Sequence, residues 1–228
     1  MKKFLLSALA VLAVISASAQ GAGREYETPL FGSQRGEMYP KWSCAPLSGL
    51  SFGHAHRFDA PARTKASGMY YDLSFCELRF RPWQNGNCFS LGLEYAGEIY
   101  RLDAGATFDE RGEIVDLPAS RAKGKSTFCE GNFYADLGYS YEWNRLCVGV
   151  FACPGVGYGS AQSRYRPAGT SLWMRQDLES SATFRLALKA GVWYSNFGFI
   201  FGYSFGNVSA ARELPHCSSA FVAVSIRY

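Results

Sequence analysis

The sequence predicts an all-β protein, an eight-stranded antiparallel up-and-down transmembrane β-barrel. Three observations lead to this fold class. Apolar residues recur at every second position in eight separate segments, the connections between these segments alternate between short and long, and the last segment ends on the aromatic residue Tyr228. A barrel pairs its last strand with its first so that no edge is left unpaired, which fits a final strand of this kind.

The first 19 residues have the features of a secretory signal peptide. A basic start is followed by an apolar run over residues 4–15 and by the small residues Ala17, Ser18 and Ala19. The apolar run is shorter than the ~20 residues of a membrane-spanning helix. The predicted organisation is a cleaved signal peptide at 1–19, a periplasmic lead-in at 20–45 and an outer-membrane barrel domain at 46–228.

Each predicted strand is marked by apolar residues on one face. In chain order the markers are Leu50 and Phe52; Tyr71, Leu73, Phe75, Leu78 and Phe80; Phe89, Leu91, Leu93, Tyr95 and Ile99; Phe133, Ala135, Leu137, Tyr139 and Tyr141; Leu146, Val148, Val150, Ala152, Val156 and Tyr158; Phe184, Leu186, Leu188, Ala190, Val192 and Tyr194; Phe197, Phe199, Phe201, Tyr203 and Phe205; and Val222, Val224, Ile226 and Tyr228. The alternation changes phase at Cys76 and Glu77. This predicts a β-bulge that keeps Glu77 away from the lipid-facing side.

The connections predict which end of the barrel faces outward. Those around 83–87, 142–145 and 195–196 are short, whereas those at 56–68, 102–127, 159–182 and 206–217 are long and polar. Outer-membrane barrels have short periplasmic turns and long extracellular loops. A soluble eight-stranded barrel need not alternate in this way, and it keeps its apolar face inside.

With its export signal, eight alternating strands, unequal loops and final Tyr228, the chain resembles small bacterial outer-membrane β-barrel proteins. This porin-like family includes the eight-stranded domains of the outer-membrane protein A and X types, and the resemblance covers about residues 46–228. It implies insertion into the bacterial outer membrane by the barrel assembly machinery. The family as a whole implies no single activity.

The alternate positions of the strands are expected to fill the lumen. An eight-stranded barrel is just wide enough for side chains to occupy its interior, and an unpaired charge there costs several kcal/mol. We therefore expect a network of ion pairs, with an arginine or lysine beside Glu94 and another beside Asp136. The predicted network comprises Asp72, Arg79, Glu94, Asp136, Arg185, Lys189 and Arg227.

Aromatic residues near the short turns predict an interface girdle of Trp83, Tyr141, Trp143, Tyr194 and Tyr228.

Two weaker patterns raise the question of chemistry. His54, His56 and His216 are expected at one rim of the barrel, where three imidazoles suit zinc or copper. His216 and Ser218 share a strand face, and a base beside a hydroxyl is the minimum for an esterase. Outer-membrane lipid A deacylases, which are small barrels, have the same spacing. The preferred interpretation of both patterns is structural: polar interface residues with no metal, no cofactor and no catalysis.

The balance of basic and acidic residues limits the kinds of partner that the chain is expected to bind. Removing Lys2 and Lys3 with the signal peptide leaves 21 basic and 19 acidic residues, a net charge of +2, which argues against nucleic acid. The basic run of Arg121, Lys123 and Lys125 is interpreted as a solvated or lipopolysaccharide-facing loop.

The leading function is a non-enzymatic one, structural or in surface interaction, with a filled lumen. Its partners would be outer-membrane lipids, lipopolysaccharide and a surface ligand bound by the long loops. A narrow channel for ions or small hydrophobic solutes is the second hypothesis, and a lipid-modifying esterase is the third.

Overall fold

The computed structural model describes residues 42–58, 63–83, 86–103, 106–108, 114–116, 121–167, 171–179, 182–205 and 218–228. The predicted signal peptide and most of the lead-in lie outside these ranges. The described residues form eleven β-strands: β1 Trp42–Arg57, β2 Thr64–Phe80, β3 Asn87–Leu102, β4 Ala106–Phe108, β5 Ile114–Asp116, β6 Arg121–Trp143, β7 Leu146–Pro167, β8 Met174–Glu179, β9 Thr183–Tyr194, β10 Phe197–Phe205 and β11 Ser219–Arg227. They contain no helix long and apolar enough to cross a membrane.

Eight of the strands close into an antiparallel barrel. The ring runs β1-β2-β3-β6-β7-β9-β10-β11 and returns to β1, so every neighbour in space is also the next barrel strand in sequence. Closure comes from a continuous ladder between β1 and β11, from Gly49 opposite Arg227 to Arg57 opposite Ser219. The predicted fold class is confirmed.

The barrel has two unlike ends. We call the end where β2 meets β3, and where the tight connections 144–145 and 195–196 lie, the turn end, and the opposite end the loop end. At the loop end β6 and β7 continue beyond the ring, β8 pairs with residues 160–165 of β7, and β4 and β5 form a separate hairpin.

Several strands are longer than the apolar pattern predicts. β1 begins at Trp42, so residues 42–45 of the expected lead-in belong to the first strand, and β6 begins at Arg121 inside the expected loop 102–127. The β6 extension carries small and polar residues, because backbone pairing with β7 continues where the apolar pattern has ended, whereas the β1 extension begins with the exposed Trp42 at the turn end.

The outer wall of the barrel is apolar. Phe199 is 55% exposed and Val150 is 53% exposed, as are comparable side chains on every strand of the ring. A wall of this kind is the reverse of a soluble core and matches a barrel solvated by lipid. The exposed apolar residues include Leu50, Phe52, Met69, Leu78, Phe89, Leu91, Leu93, Phe133, Leu137, Val148, Val156, Phe184, Leu188, Val192, Phe197, Phe201, Val222 and Val224.

Aromatic side chains ring this wall at the turn end. Trp83, Tyr141, Trp143, Tyr194 and Tyr228 are all exposed there, as the sequence predicts. Rings at this position suit the boundary between acyl chains and headgroups. Together with the closed ring, in which every strand pairs on both sides, the outward apolar surface makes this a transmembrane barrel.

The predicted bulge is present in β2. Between the pairs Phe75–Leu93 and Leu78–Leu91, β2 has two residues, Cys76 and Glu77, where β3 has only Gly92. Cys76 takes a left-handed backbone with φ 55° and is exposed, which turns Glu77 into the interior. The bulge therefore places a carboxylate inside the barrel at the turn end.

Candidate functional site in the barrel lumen

The seven residues predicted for the lumen network all point into the barrel. They lie on five strands and alternate with the outward apolar residues, so the two-residue period of each strand sets their direction. Six of them are buried and Asp136 is half-buried. The set is Asp72, Arg79, Glu94, Asp136, Arg185, Lys189 and Arg227. Their contacts form three clusters along the barrel axis.

The turn-end cluster is built around Glu77. Arg79 Nη2 donates to Glu77 Oε2 at 2.7 Å and to the carbonyl oxygen of Tyr228 at 2.9 Å. Arg227 Nη2 lies 3.3 Å from Glu77 Oε1, and its guanidinium stacks 5.2 Å from the centre of the Trp193 ring. One carboxylate therefore joins β2 to β11 beside the closing seam.

A second pair closes the same end. Arg81 Nη2 lies 3.2 Å from Glu142 Oε2, and Arg81 Nη1 donates to Ser43 Oγ at 3.2 Å. Arg227 Nη1 also donates to the Cys147 sulfur at 2.9 Å. These contacts tie β1, β2, β6, β7 and β11 together across the opening.

The middle cluster is centred on Lys189. Its ammonium donates to Glu94 Oε2 and lies 3.9 Å from Asp72 Oδ2. Tyr70 Oη donates to the same Asp72 oxygen at 2.8 Å. The expected cationic partner of Glu94 is thus Lys189, which reaches across the barrel from β9 to β3.

No ion pair of Asp136 with an arginine or lysine within 4 Å is found among the described residues. Its Oδ1 accepts a hydrogen bond from the Cys153 thiol at 3.3 Å, and Lys189 attracts its carboxylate at longer range. Asp136, Glu94 and Lys189 line a cavity of about 50 Å³ in the lumen. This volume has room for a few water molecules. Glu94 Oε1 is buried without a hydrogen-bond partner among the described residues.

The loop-end cluster is centred on Glu130. Arg185 Nη2 lies 2.7 Å from Glu130 Oε2, and Arg57 Nη2 lies 3.5 Å from Glu130 Oε1. The Arg57 guanidinium sits between two aromatic rings, 4.6 Å from the centre of Tyr100 and 4.7 Å from that of Phe128. Arg185 is 0% exposed, so this cluster is sealed from solvent.

Glu98 lies beside this cluster and is held by hydroxyl groups. Ser219 Oγ donates to Glu98 Oε1 at 2.6 Å, and Tyr100 Oη donates to Oε2. In the middle of the barrel, the Tyr70 and Phe221 rings stack with centres 3.9 Å apart. Rings therefore occupy the space between ionic clusters.

Some members of the network come from segments where the apolar pattern predicts no strand. Arg57, Glu130 and Glu142 all lie in or beside segments that the apolar pattern assigns to connections. Glu130 and Glu142 share the inward parity of Asp136 on β6, and Arg57 has the parity opposite to that of the apolar markers Leu50 and Phe52 on β1. Extending the parity beyond the apolar markers would have found them.

The described residues show no arrangement that would support the metal hypothesis or the esterase hypothesis. His54 and His56 are exposed on the outer face of β1, whereas His216 lies outside the described residues. Within the described part of the chain, no group of three or more His, Cys, Asp or Glu is arranged to hold a metal ion. Ser218 is half-buried, and its proposed partner His216 is not described.

Comparison with known proteins gives a likeness at the level of solved structures. No protein-family model matches the chain, and no curated protein matches it. The structure is similar to Ail, the attachment invasion locus protein of Yersinia pestis, with a TM-score of 0.38 and 15% identity over 81% of this chain and 98% of that one.

It is also similar to Neisserial surface protein A, with a TM-score of 0.40 and 14% identity over 81% of this chain and 97% of that one. A triple mutant of the Rhodopseudomonas blastica porin gives a TM-score of 0.23 and 8% identity over 82% and 100%. At values this low, the likeness carries no inference about function.

Proposed function

We propose that this protein is a bacterial outer-membrane barrel that acts through its surface and does not conduct solutes through its lumen. The observation that carries the proposal is the sequence of three ionic clusters along the axis, centred on Glu77, Lys189 and Glu130. Because they lie in series, a solute would have to displace all of them. Each displacement would leave buried charges without the ion-pair partners that they now have.

The surface role is supported by where the chain extends beyond the wall. β6, β7 and β8 form a sheet that continues past the ring at the loop end. In the proposed orientation this end faces outward and the tight turns face the periplasm. Lipopolysaccharide, outer-membrane lipids and a ligand bound by the loops are the proposed partners, and the barrel assembly machinery is the proposed route of insertion after cleavage at Ala19.

Planar-bilayer recording tests the sealed lumen. The purified chain is expected to give no stable conductance steps, and Lys189→Ala is expected to give none either, because the clusters at Glu77 and Glu130 still block the path. A variant that also carries Arg57→Ala, Arg185→Ala, Arg79→Ala, Arg227→Ala and Arg81→Ala removes the cations of all three clusters and of the Arg81–Glu142 pair, and it should conduct. Regular steps from the unmodified chain would contradict the proposal.

A narrow path for ions is the second candidate. The water-sized cavity beside Lys189 and the unpartnered Glu94 oxygen favour it, since they provide a polar site halfway along the axis. If this is the function, Lys189→Ala alone should change the size or ion selectivity of steps already seen with the unmodified chain. The two candidates therefore predict different recordings from the unmodified chain and different responses to Lys189→Ala.

A further inference from the structure

The lumen has one more carboxylate than it has cationic side chains, and the excess lies in the middle of the barrel. At the loop end two arginines face two glutamates, and at the turn end Arg81 is matched by Glu142. The other inward charges among the described residues are four carboxylates and three cations: Asp72, Glu77, Glu94 and Asp136 against Arg79, Lys189 and Arg227. One negative charge is therefore left unbalanced.

Lys189 is the one cation of the described lumen that lies among the other three carboxylates, because both turn-end arginines pair with Glu77. Its ammonium contacts Glu94, lies 3.9 Å from Asp72 Oδ2 and attracts Asp136 at longer range. The three carboxylates also repel one another, since Glu94 lies within electrostatic range of both aspartates. Burying a charge is costly unless an opposite charge compensates it. The middle cluster therefore needs one more positive charge.

One oxygen of Glu94 lacks a partner. The residue is 2% exposed, and its Oε2 holds the Lys189 ammonium and lies 3.5 Å from the Ser74 hydroxyl. Its Oε1 is buried and has no hydrogen-bond partner among the described residues. Leaving a buried acceptor unsatisfied costs free energy, and the cost is larger for a charged group. Since Glu94 lines the lumen cavity of about 50 Å³, a ligand in that cavity would supply the missing partner.

The cavity presents oxygen atoms to such a ligand. Asp136 and Ser74 line it and are only half-buried although they face inward, so both keep surface directed into the lumen. Ser51 Oγ also lines it and donates its proton to Ser225 Oγ at 3.1 Å, which leaves the Ser51 lone pairs available. Oxygen atoms of carboxylates and water are the ligands that hard cations prefer. The volume accommodates a small ion together with a water molecule.

Charge and geometry together narrow the choice of ligand. A proton on Glu94 Oε1 would balance the charge, but it would itself have no acceptor within the described part of the chain. A divalent cation would overbalance the charge, and it gathers roughly six to eight oxygen ligands, whereas no three acidic side chains in the described ranges are arranged to hold a metal ion. A monovalent cation balances the charge with two carboxylates and water. We propose that the middle cavity binds one monovalent cation, similar to sodium in size, held by Glu94 Oε1 and Asp136.

The ion would act as a structural counter-ion. It would join β3, which carries Glu94, to β6, which carries Asp136, beside the contact that Lys189 makes from β9. This inference goes beyond the proposed function and does not require a sealed lumen. The two can fail separately, because conductance steps would overturn the sealed lumen and leave the cation site intact, whereas a stability that is independent of sodium would overturn the cation site alone.

The test measures the unfolding equilibrium of the unmodified full chain by urea titration in neutral lipid vesicles. Sodium chloride is exchanged for N-methylglucamine chloride at constant ionic strength, because N-methylglucamine is too large for the cavity. A ligand that binds only the folded state shifts the equilibrium by mass action. Between about 5 and 500 mM sodium, the unfolding equilibrium constant should fall at least tenfold, which is the shift for a site half filled near 50 mM.

Two glutamates of β3 provide matched variants. Glu94→Gln removes both the excess charge and an oxygen ligand, so its unfolding constant should change less than about twofold over the same sodium range. Glu98→Gln removes a buried carboxylate about 13 Å along the same strand, where the hydroxyls of Ser219 and Tyr100 hold it. This control should keep the full sodium response. Asp136→Asn is a second site variant and should lose the response as Glu94→Gln does.

Diffraction from crystals grown with thallium(I), a heavy monovalent cation, locates the ion without any substitution. An anomalous peak is expected in the cavity, in contact with Glu94 Oε1. An unfolding constant that does not change with sodium, an equal sodium response in Glu94→Gln and the unmodified chain, or a cavity without a thallium peak would each overturn the proposal. A stability that follows pH but not sodium would also overturn it and would assign the balancing charge to a proton.

Discussion

Lys189 is surrounded by more negative charge than it can neutralise. Its ammonium contacts Glu94 and lies 3.9 Å from Asp72, while Asp136 lines the same cavity. Removing one partner of a buried ion pair is costly because the remaining charge stays in a setting of low polarity. Lys189 is therefore the side chain on which the stability of the middle cluster most depends.

Lys189→Met is expected to lower the free energy of unfolding by about 3–5 kcal/mol, because it leaves the Glu94 and Asp72 carboxylates facing each other without a cation. Urea titration of the barrel in lipid vesicles measures the change. Adding Glu94→Gln should recover part of the loss, since it removes one of the stranded charges. A loss below about 1 kcal/mol for Lys189→Met would mean that the ion pair is not buried as described.

Gly157 provides the space that the loop-end cluster needs. A Cβ at this position would collide with Asn132 Oδ1 and lie 2.7 Å from Arg185 Cγ. At Gly49, by contrast, the nearest atom to an added Cβ is 3.5 Å away, which is ordinary contact. The two glycines thus form a matched pair on the inner surface.

Gly157→Ala should cost about 1–3 kcal/mol in unfolding free energy, as expected for overpacking, whereas Gly49→Ala should cost much less. Both values come from the same urea titration. Equal effects of the two substitutions would show that Arg185 does not pack against Gly157.

For single residues, the sequence predicts whether a side chain faces the lumen or the lipid, but not which side chain it contacts. Strand parity alone placed Arg227 and Arg185 inside the barrel, because each side chain must face one of two surfaces. Their partners, Glu77 and Glu130, come from strands far away in sequence, and contact depends on the register of several strands at once. Lys189 illustrates this, since it attracts the Asp136 carboxylate but makes its ion pairs with Glu94 and Asp72.

The β1–β11 seam is the element on which closure depends. Val224 of β11 stands opposite Phe52 of β1 and also opposite Phe199 of β10, so its backbone lies between two ladders. β8 pairs only with β7 among the described strands and lies outside the ring. The two strands should therefore respond differently to loss of a backbone donor.

Val224→Pro is expected to prevent barrel formation, because proline removes a backbone donor within the membrane, where no water can replace it. Asp177→Pro in β8 should leave the barrel folded. The presence of a compact, heat-sensitive band in gel electrophoresis reports the folded state. Folding of Val224→Pro with the yield of the unmodified chain would contradict a closed seam at this position.

Strand existence was easier to predict than strand length. The apolar pattern marks only the part of each strand that touches lipid, so it finds all eight barrel strands but misses the first twelve residues of β6. It also misses β8, whose six residues include only two apolar ones, Met174 and Leu178. The lipid-facing stretch is set by the membrane, whereas the full strand is set by backbone pairing.

Across the whole molecule, the lumen is close to neutral. Six cationic side chains and seven carboxylates from the described residues face inward: Arg57, Arg79, Arg81, Arg185, Lys189 and Arg227 against Asp72, Glu77, Glu94, Glu98, Glu130, Asp136 and Glu142. Near neutrality suits side chains that fill the interior by pairing with one another. In the proposed surface role the loops would carry the function, and their sequences follow no structural period from which it could be predicted.

The central claim is that apolar side chains of the wall contact acyl chains while the interior side chains do not. Nuclear Overhauser contacts between lipid acyl protons and protein methyl groups, recorded in bilayer nanodiscs, test it without any substitution. We expect contacts to the methyls of Val150, Val156 and Val224, and none to those of Ala187 and Ala223, which are buried in the lumen. Acyl contacts to the two alanines, with none to the three valines, would contradict the account.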